Sequence, residues 1–112
     1  MSVKIDRLNN EFVEKISTII HNQVKDKDVN FVTITDAKVT NDLSFAKVYF
    51  TTMDNDKVKV TKALNKASIF IRGELAKVVN IRKMPEITFV FDESIDYGKK
   101  IEDIIERINN ER

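Results

Sequence analysis

Apolar residues in this chain recur with two different periods, and the order of those periods restricts the fold more than any other feature of the sequence. Ile5, Leu8, Phe12, Ile16, Ile19, Ile20 and Val24 return at helical spacings of three and four, which predicts an amphipathic helix over residues 3–24. Lys25-Asp26-Lys27-Asp28 is a polar stop. The period then drops to two. Val32 and Ile34 share one face of a strand over 31–39, but Ala37 and Val39 fall on odd positions, and this slip in phase predicts a β-bulge near Asp36. Thr40-Asn41-Asp42-Leu43 has turn composition. A second strand over 44–52 sets Ala46, Val48 and Phe50 on one face and Phe45, Lys47 and Tyr49 on the other. So short a connection implies an antiparallel hairpin.

The helical period returns after Met53-Asp54-Asn55-Asp56, where Asp54 or Asp56 can cap the next helix. Val60, Leu64, Ala67, Ile71, Leu75 and Val78 form an unbroken stripe, so periodicity alone predicts one long helix over 57–80. Pro85 ends that region, and Ile87, Phe89 and Phe91 mark a third strand. Asp92-Glu93-Ser94 offers a cap for a last helix with Ile101, Ile104, Ile105 and Ile108 as its stripe. The reading is a two-layer α+β domain over residues 1–112, with a three-stranded sheet and its helices on one face. No internal repeat or linker divides it.

Several kinds of chemistry are excluded by what the chain lacks. It has no cysteine, which removes disulfides, thiolate metal sites and thiol nucleophiles. Two glycines and one proline leave no glycine-rich phosphate loop. The longest apolar runs, such as Ile69-Phe70-Ile71 and Phe89-Val90-Phe91, are three residues long, where a membrane-spanning helix needs about 20. The N-terminus shows no signal-peptide core, so the expected location is the cytoplasm. Asp26-x-Asp28 and Asp54-x-Asp56 begin like calcium loops, but Phe31 or Lys59 stands at the glycine position and Ala37 or Asn65 at the glutamate position. His21, the sole histidine, reads as a helix-face residue, and Glu102, Asp103 and Glu106 as the outer face of the last helix. No catalytic residue, metal, cofactor or small-molecule substrate is expected. Phe45 and Tyr49 could stack on bases, but on a strand they read as core beneath a covering helix.

The formal net charge of +1 conceals a strong asymmetry. Residues 57–83 carry eight basic side chains (Lys57, Lys59, Lys62, Lys66, Arg72, Lys77, Arg82 and Lys83) against one acidic, Glu74, while both flanking segments are net acidic. Phosphate is the commonest partner of such a local field.

Four segments resemble the ribosome-binding factor A family in order and spacing. They are Asp42-Leu43-Ser44-Phe45-Ala46-Lys47-Val48-Tyr49-Phe50, Ala67-Ser68-Ile69-Phe70-Ile71-Arg72-Gly73-Glu74-Leu75, Ile81-Arg82-Lys83-Met84-Pro85-Glu86-Ile87-Thr88-Phe89, and Asp92-Glu93-Ser94-Ile95. The resemblance implies a KH-like domain of type II topology (helix-strand-strand-helix-helix-strand) with a C-terminal helix. It implies a maturation factor for the small (30S) ribosomal subunit that binds 16S rRNA near its 5′ end and neck, assists rRNA processing and supports growth in the cold. KH domains clamp the nucleic-acid backbone with a Gly-x-x-Gly loop between two helices. The family replaces that loop with a kinked Ala-x-Gly, which corresponds here to Ala67, Ser68 and Ile69. Ile69 departs from the family's glycine. If the bend persists, Ser68 is the expected cap of the second helix.

The expected RNA-binding residues are Lys62, Lys66, Ala67, Ser68, Ile69, Arg72, Lys77, Arg82 and Lys83, on a monomer. Reversing Arg72 and Arg82 to glutamate is expected to weaken subunit binding without unfolding the domain. The alternative is a protein–protein interaction module whose basic helical face docks an acidic partner.

Overall fold

A computed structural model of the chain describes residues 3–29 and 31–94. Its elements are α1 (Val3–Gln23), β1 (Val32–Val39), β2 (Phe45–Thr52), α2 (Lys57–Lys66), α3 (Ser68–Val78) and β3 (Glu86–Phe91). This is the α-β-β-α-α-β order of a type II KH-like domain. The last helix, expected around Ile101, Ile104, Ile105 and Ile108, lies outside the described residues.

The strands form one sheet in the order β1-β2-β3. β1 and β2 are the expected antiparallel hairpin, and the bulge falls where the phase slip places it. Pairing steps from Ile34↔Phe50 to Asp36↔Tyr49, so Thr35 is the extra residue. Its hydroxyl donates to Asp92 Oδ2 at 2.6 Å. The hairpin turn is held by side chains. Thr40 Oγ1 accepts from the amides of Ser44 and Phe45 at 3.2 and 3.1 Å and donates to Asp42 Oδ1 at 2.8 Å. Leu43 takes a positive φ of 61° in this turn, a conformation that costs a branched side chain free energy, and its side chain is buried in the core. β3 runs parallel to β2. A parallel neighbour cannot be reached by a tight turn, and the crossover is made by α2 and α3.

The described helices all cover one face. α1 packs on β1 and α3, α2 on β3, and α3 on both α1 and β3. Phe12 and Ile16 of α1, Val48 and Phe50 of β2, Val60 and Leu64 of α2, and Ile71 and Leu75 of α3 are fully buried. Each such side chain contributes about 1.5–3 kcal/mol by leaving water. Phe50 and Phe91 meet edge to face, with ring centroids 5.8 Å apart.

The single helix expected over 57–80 is instead two helices. The break is one residue, Ala67, at φ −85° and ψ −1°. Its amide is shared between the carbonyls of Ala63 and Leu64, both at 3.1 Å, while its own carbonyl still accepts from Ile71 at 2.9 Å. The hydrogen bonds tighten without a gap, so the apolar stripe crosses the break in phase. The break also stands without a glycine, since Ala67 keeps a negative φ. Ser68 is the first residue of α3 and makes no side-chain cap, which corrects the capping role expected for it. The stripe ends early as well. Val78 is 53% exposed, and Val79, at extended φ and ψ past the helix end, is buried in its place.

Candidate nucleic-acid interface

α2 begins at Asp56, whose carboxylate accepts from the Lys59 amide at 3.0 Å. Its inner side is fixed by Val60, Ala63 and Leu64. Lys62 and Lys66, four residues apart, therefore project from the outer side one turn from each other. Both are exposed, as is Arg82, and among the described residues none of the three has an ion-pair or hydrogen-bond partner. Other cations of the block are engaged. Lys59 lies 3.5 Å from Asp54 and 3.9 Å from Asp28, and Lys57 sits 4.5 Å above the Phe91 ring.

The nine expected residues fall into two neighbouring groups and one outlier. Lys62, Lys66, Ala67, Ser68 and Ile69 run along the outer side of α2 into the α2–α3 junction. Ala67 and Ser68 are half-buried, whereas Ile69 is 83% exposed. Arg72 follows one turn after Ile69, and its guanidinium reaches the chain ahead of β3. Nη2 donates to Met84 O at 2.7 Å and Nε to Pro85 O at 3.1 Å. This ties α3 to the segment that carries Arg82 and Lys83. Lys83 Nζ in turn donates to Ser44 Oγ at 3.1 Å, at the start of β2. Lys77 is the outlier. Five residues beyond Arg72 on the same helix, it lies about 140° around the axis, and it pairs with Glu74 Oε2 at 2.6 Å.

The α2–α3 junction has neighbours that the sequence did not mark. A groove of about 630 Å³ is lined by Gln23, Val24, Lys25, Asp26 and Lys27 after α1, and by Ala67 and Phe70 at the junction. The fold thus brings two lysines from a net-acidic segment beside the basic block. Phe70 is 48% exposed there, and its position off the apolar stripe was the one signal available. Lys25 and Lys27 gave none, being some forty residues away in sequence.

Phe45, expected in the core, is 58% exposed on the sheet face that no described helix covers. Ser17, His21 and Asp26 line one groove, but the Ser17 hydroxyl donates to Val13 O at 2.6 Å and Asp26 Oδ1 accepts from the Asp28 amide at 2.9 Å. Among the described residues no group of three His, Cys, Asp or Glu side chains could hold a metal ion. No described helix is long and apolar enough to cross a membrane.

The sequence model of the family described as Ribosome-binding factor A matches residues 4–105. A ribosome-binding factor A of Staphylococcus epidermidis is 46% identical over 110 residues, covering 96% of this chain and 95% of the relative. That of Staphylococcus saprophyticus is 43% identical over 111 residues, covering 97% of each. The crystal structure of ribosome-binding factor A from Thermus thermophilus superposes with a TM-score of 0.73 at 20% identity, covering 78% of this chain and 93% of that one. A T. thermophilus ribosome-binding factor A homology model, fitted into the cryo-EM map of a 30S complex, gives a TM-score of 0.67 at 20% identity, over 78% of this chain and 93% of that one.

Proposed function

The chain belongs to the ribosome-binding factor A family, and on that premise we propose that it is a non-enzymatic maturation factor of the small ribosomal subunit. In this reading it acts in the cytoplasm as a monomer. It binds 16S rRNA near the 5′ end and neck and assists processing and assembly, and its loss slows growth in the cold.

The observation that carries this reading is the exposure of Lys62 and Lys66 on α2 and of Arg82 between α3 and β3, none of which has an ion-pair or hydrogen-bond partner among the described residues. An outward lysine pair one turn apart contributes nothing to the core and repels itself weakly. Phosphates relieve that repulsion and release their counterions. The T. thermophilus relative fitted into a 30S complex supports the choice of partner. Arg72 and Lys83 present the remaining N–H donors of partly occupied heads, while Lys25 and Lys27 widen the field beside Phe70. Lys77 lies on the other flank and contributes least.

The test is co-sedimentation with free small subunits over a salt series. With about five phosphates contacted, the log-log slope should be on the order of −4. The triple variant Lys62→Glu, Lys66→Glu and Arg82→Glu should lose binding while melting like the parent. A salt-independent affinity, or an unchanged triple variant, overturns the proposal. Ile69, exposed beside the lysines, favours one second reading, a protein contact on the same face. Survival of the complex after nuclease treatment would select it.

A further inference from the structure

The sheet face opposite the helices carries a cluster that the proposed helical site does not use. Lys38 of β1 and Lys47 of β2 are direct cross-strand partners, and both are exposed. Like charges in that register oppose folding, and nothing in the packing calls for them, since both side chains lie on the solvent side of the pleat. Aromatic rings flank the pair. The Lys38 ammonium sits 5.6 Å from the centroid of the Tyr49 ring, and Phe45, two residues before Lys47 on the same face, leaves more than half its surface in water. Thr88 of β3 pairs with Lys47 from the other side. Asp92 and Glu93, just past β3, line one groove with Lys38 and Tyr49, and two further acids share the face at its ends. Asp36 stands opposite Tyr49 with one carboxylate oxygen held by the Ala37 amide at 2.8 Å, and Glu86 stands opposite Phe45. Among the described residues neither forms an ion pair with Lys38 or Lys47.

We propose that this open sheet face binds single-stranded RNA, with a phosphate seated between Lys38 and Lys47 and bases laid on Phe45 and Tyr49. A shared anion turns the lysine repulsion into attraction, and an exposed ring offers the π-face that any unpaired base can stack on. This inference rests on the reading of the chain as an RNA-binding factor. It adds a contact on the layer away from the α2–α3 junction, so one molecule would touch RNA on both sides. Residues 95–112, with their isoleucine stripe and acidic side chains, are the rival occupant.

Titration of the full chain with an octamer of oligouridylate, followed by amide NMR, tests the proposal. Shifts should centre on Lys38, Phe45, Lys47 and Tyr49. Phe45→Ala should weaken the octamer about tenfold, one stacked base's worth. Lys47→Glu should weaken it at least as much and yet raise the melting temperature, because the repulsive cross-strand pair becomes an attractive one. A misfolded variant cannot give that combination. Shifts confined to the α2–α3 junction, with the sheet silent, overturn the inference and leave the helical site standing. A spin label at Ile108→Cys, in a chain with no cysteine of its own, checks the rival. Broadening of Phe45 and Tyr49 in the free protein would show the face occupied by residues 95–112 and also overturn it. Failure of both the octamer and small subunits to bind would remove the proposed function together with this inference.

Discussion

Asn65 and Phe89 are joined by two hydrogen bonds between a side-chain amide and a backbone peptide. Phe89 N–H donates to Asn65 Oδ1 at 2.8 Å, and Asn65 Nδ2 donates to Phe89 O at 3.2 Å. β3 is an edge strand, and Asn65 of α2 stands where the next strand would be. Replacing it with alanine leaves two part-buried backbone groups without partners, at about 1–3 kcal/mol. Urea denaturation of Asn65→Ala should show that loss. A change below about 0.5 kcal/mol would mean that water replaces the amide freely.

Arg72 is a structural residue as well as a cation. Its two donors to Met84 and Pro85 fix the entry to β3, and a lysine ammonium cannot reproduce a planar fork aimed at two carbonyls. Arg72→Lys and Arg72→Glu should each lower stability by about 1–2 kcal/mol. Arg82→Glu should stay within about 0.5 kcal/mol of the parent. Thermal melts of the single variants separate the two effects. The double reversal of Arg72 and Arg82, expected from sequence to leave the fold intact, therefore mixes lost binding with lost stability.

Gly73 lies inside α3, and a methyl group built on its Cα would meet nothing within 4 Å. Its φ is not positive, so alanine fits the existing backbone. Gly73→Ala should stabilise the protein by about 0.5–1 kcal/mol, through helix propensity and a less flexible unfolded chain. A melting temperature below the parent's would contradict this.

Acid should loosen the two turns that flank β2. Asp42 is held below the ordinary carboxylate value of 3.8 chiefly by the Thr40 hydroxyl, then by the Ser44 amide. Asp54 is held below the same value chiefly by the Asp56 amide. A depressed folded-state pKa contributes stability that is present above 3.8 and is lost as pH falls through the lower folded value. Melting temperature should therefore hold steady through the mildly acidic range as far as these groups are concerned, and their contribution should vanish below it. Asp42→Asn should remove part of that acid-dependent drop.

The faces of the strands were legible because burial enforces a period of two. Ala37 and Val39 changed parity with Ile34, and the bulge at Thr35 is the physical form of that change. The break at Ala67 was illegible to periodicity because it keeps helical phase. Only the likeness to known sequences pointed to it, and the capping chemistry that then marked Ser68 as the expected cap does not operate there. The basic block was read correctly as a local excess of charge, but charge counting has no angle in it. It could not show that Lys77 turns to the far flank of α3, or that Arg72 spends donors on Met84 and Pro85. Phe45 was misread for a related reason: alternation tells which residues share a side, and only the placement of the helices tells which side is dry. Nor could one sequence show that β3 would join β2 rather than β1.

With its helices stacked on one side only, the sheet divides its residues by what they are answerable to. Positions such as Val48 and Phe89 answer to their neighbours inside the molecule, while the intervening Lys47 and Thr88 answer to whatever arrives from outside. A lineage could redraw the open surface for a different partner one side chain at a time, leaving the architecture beneath it untouched.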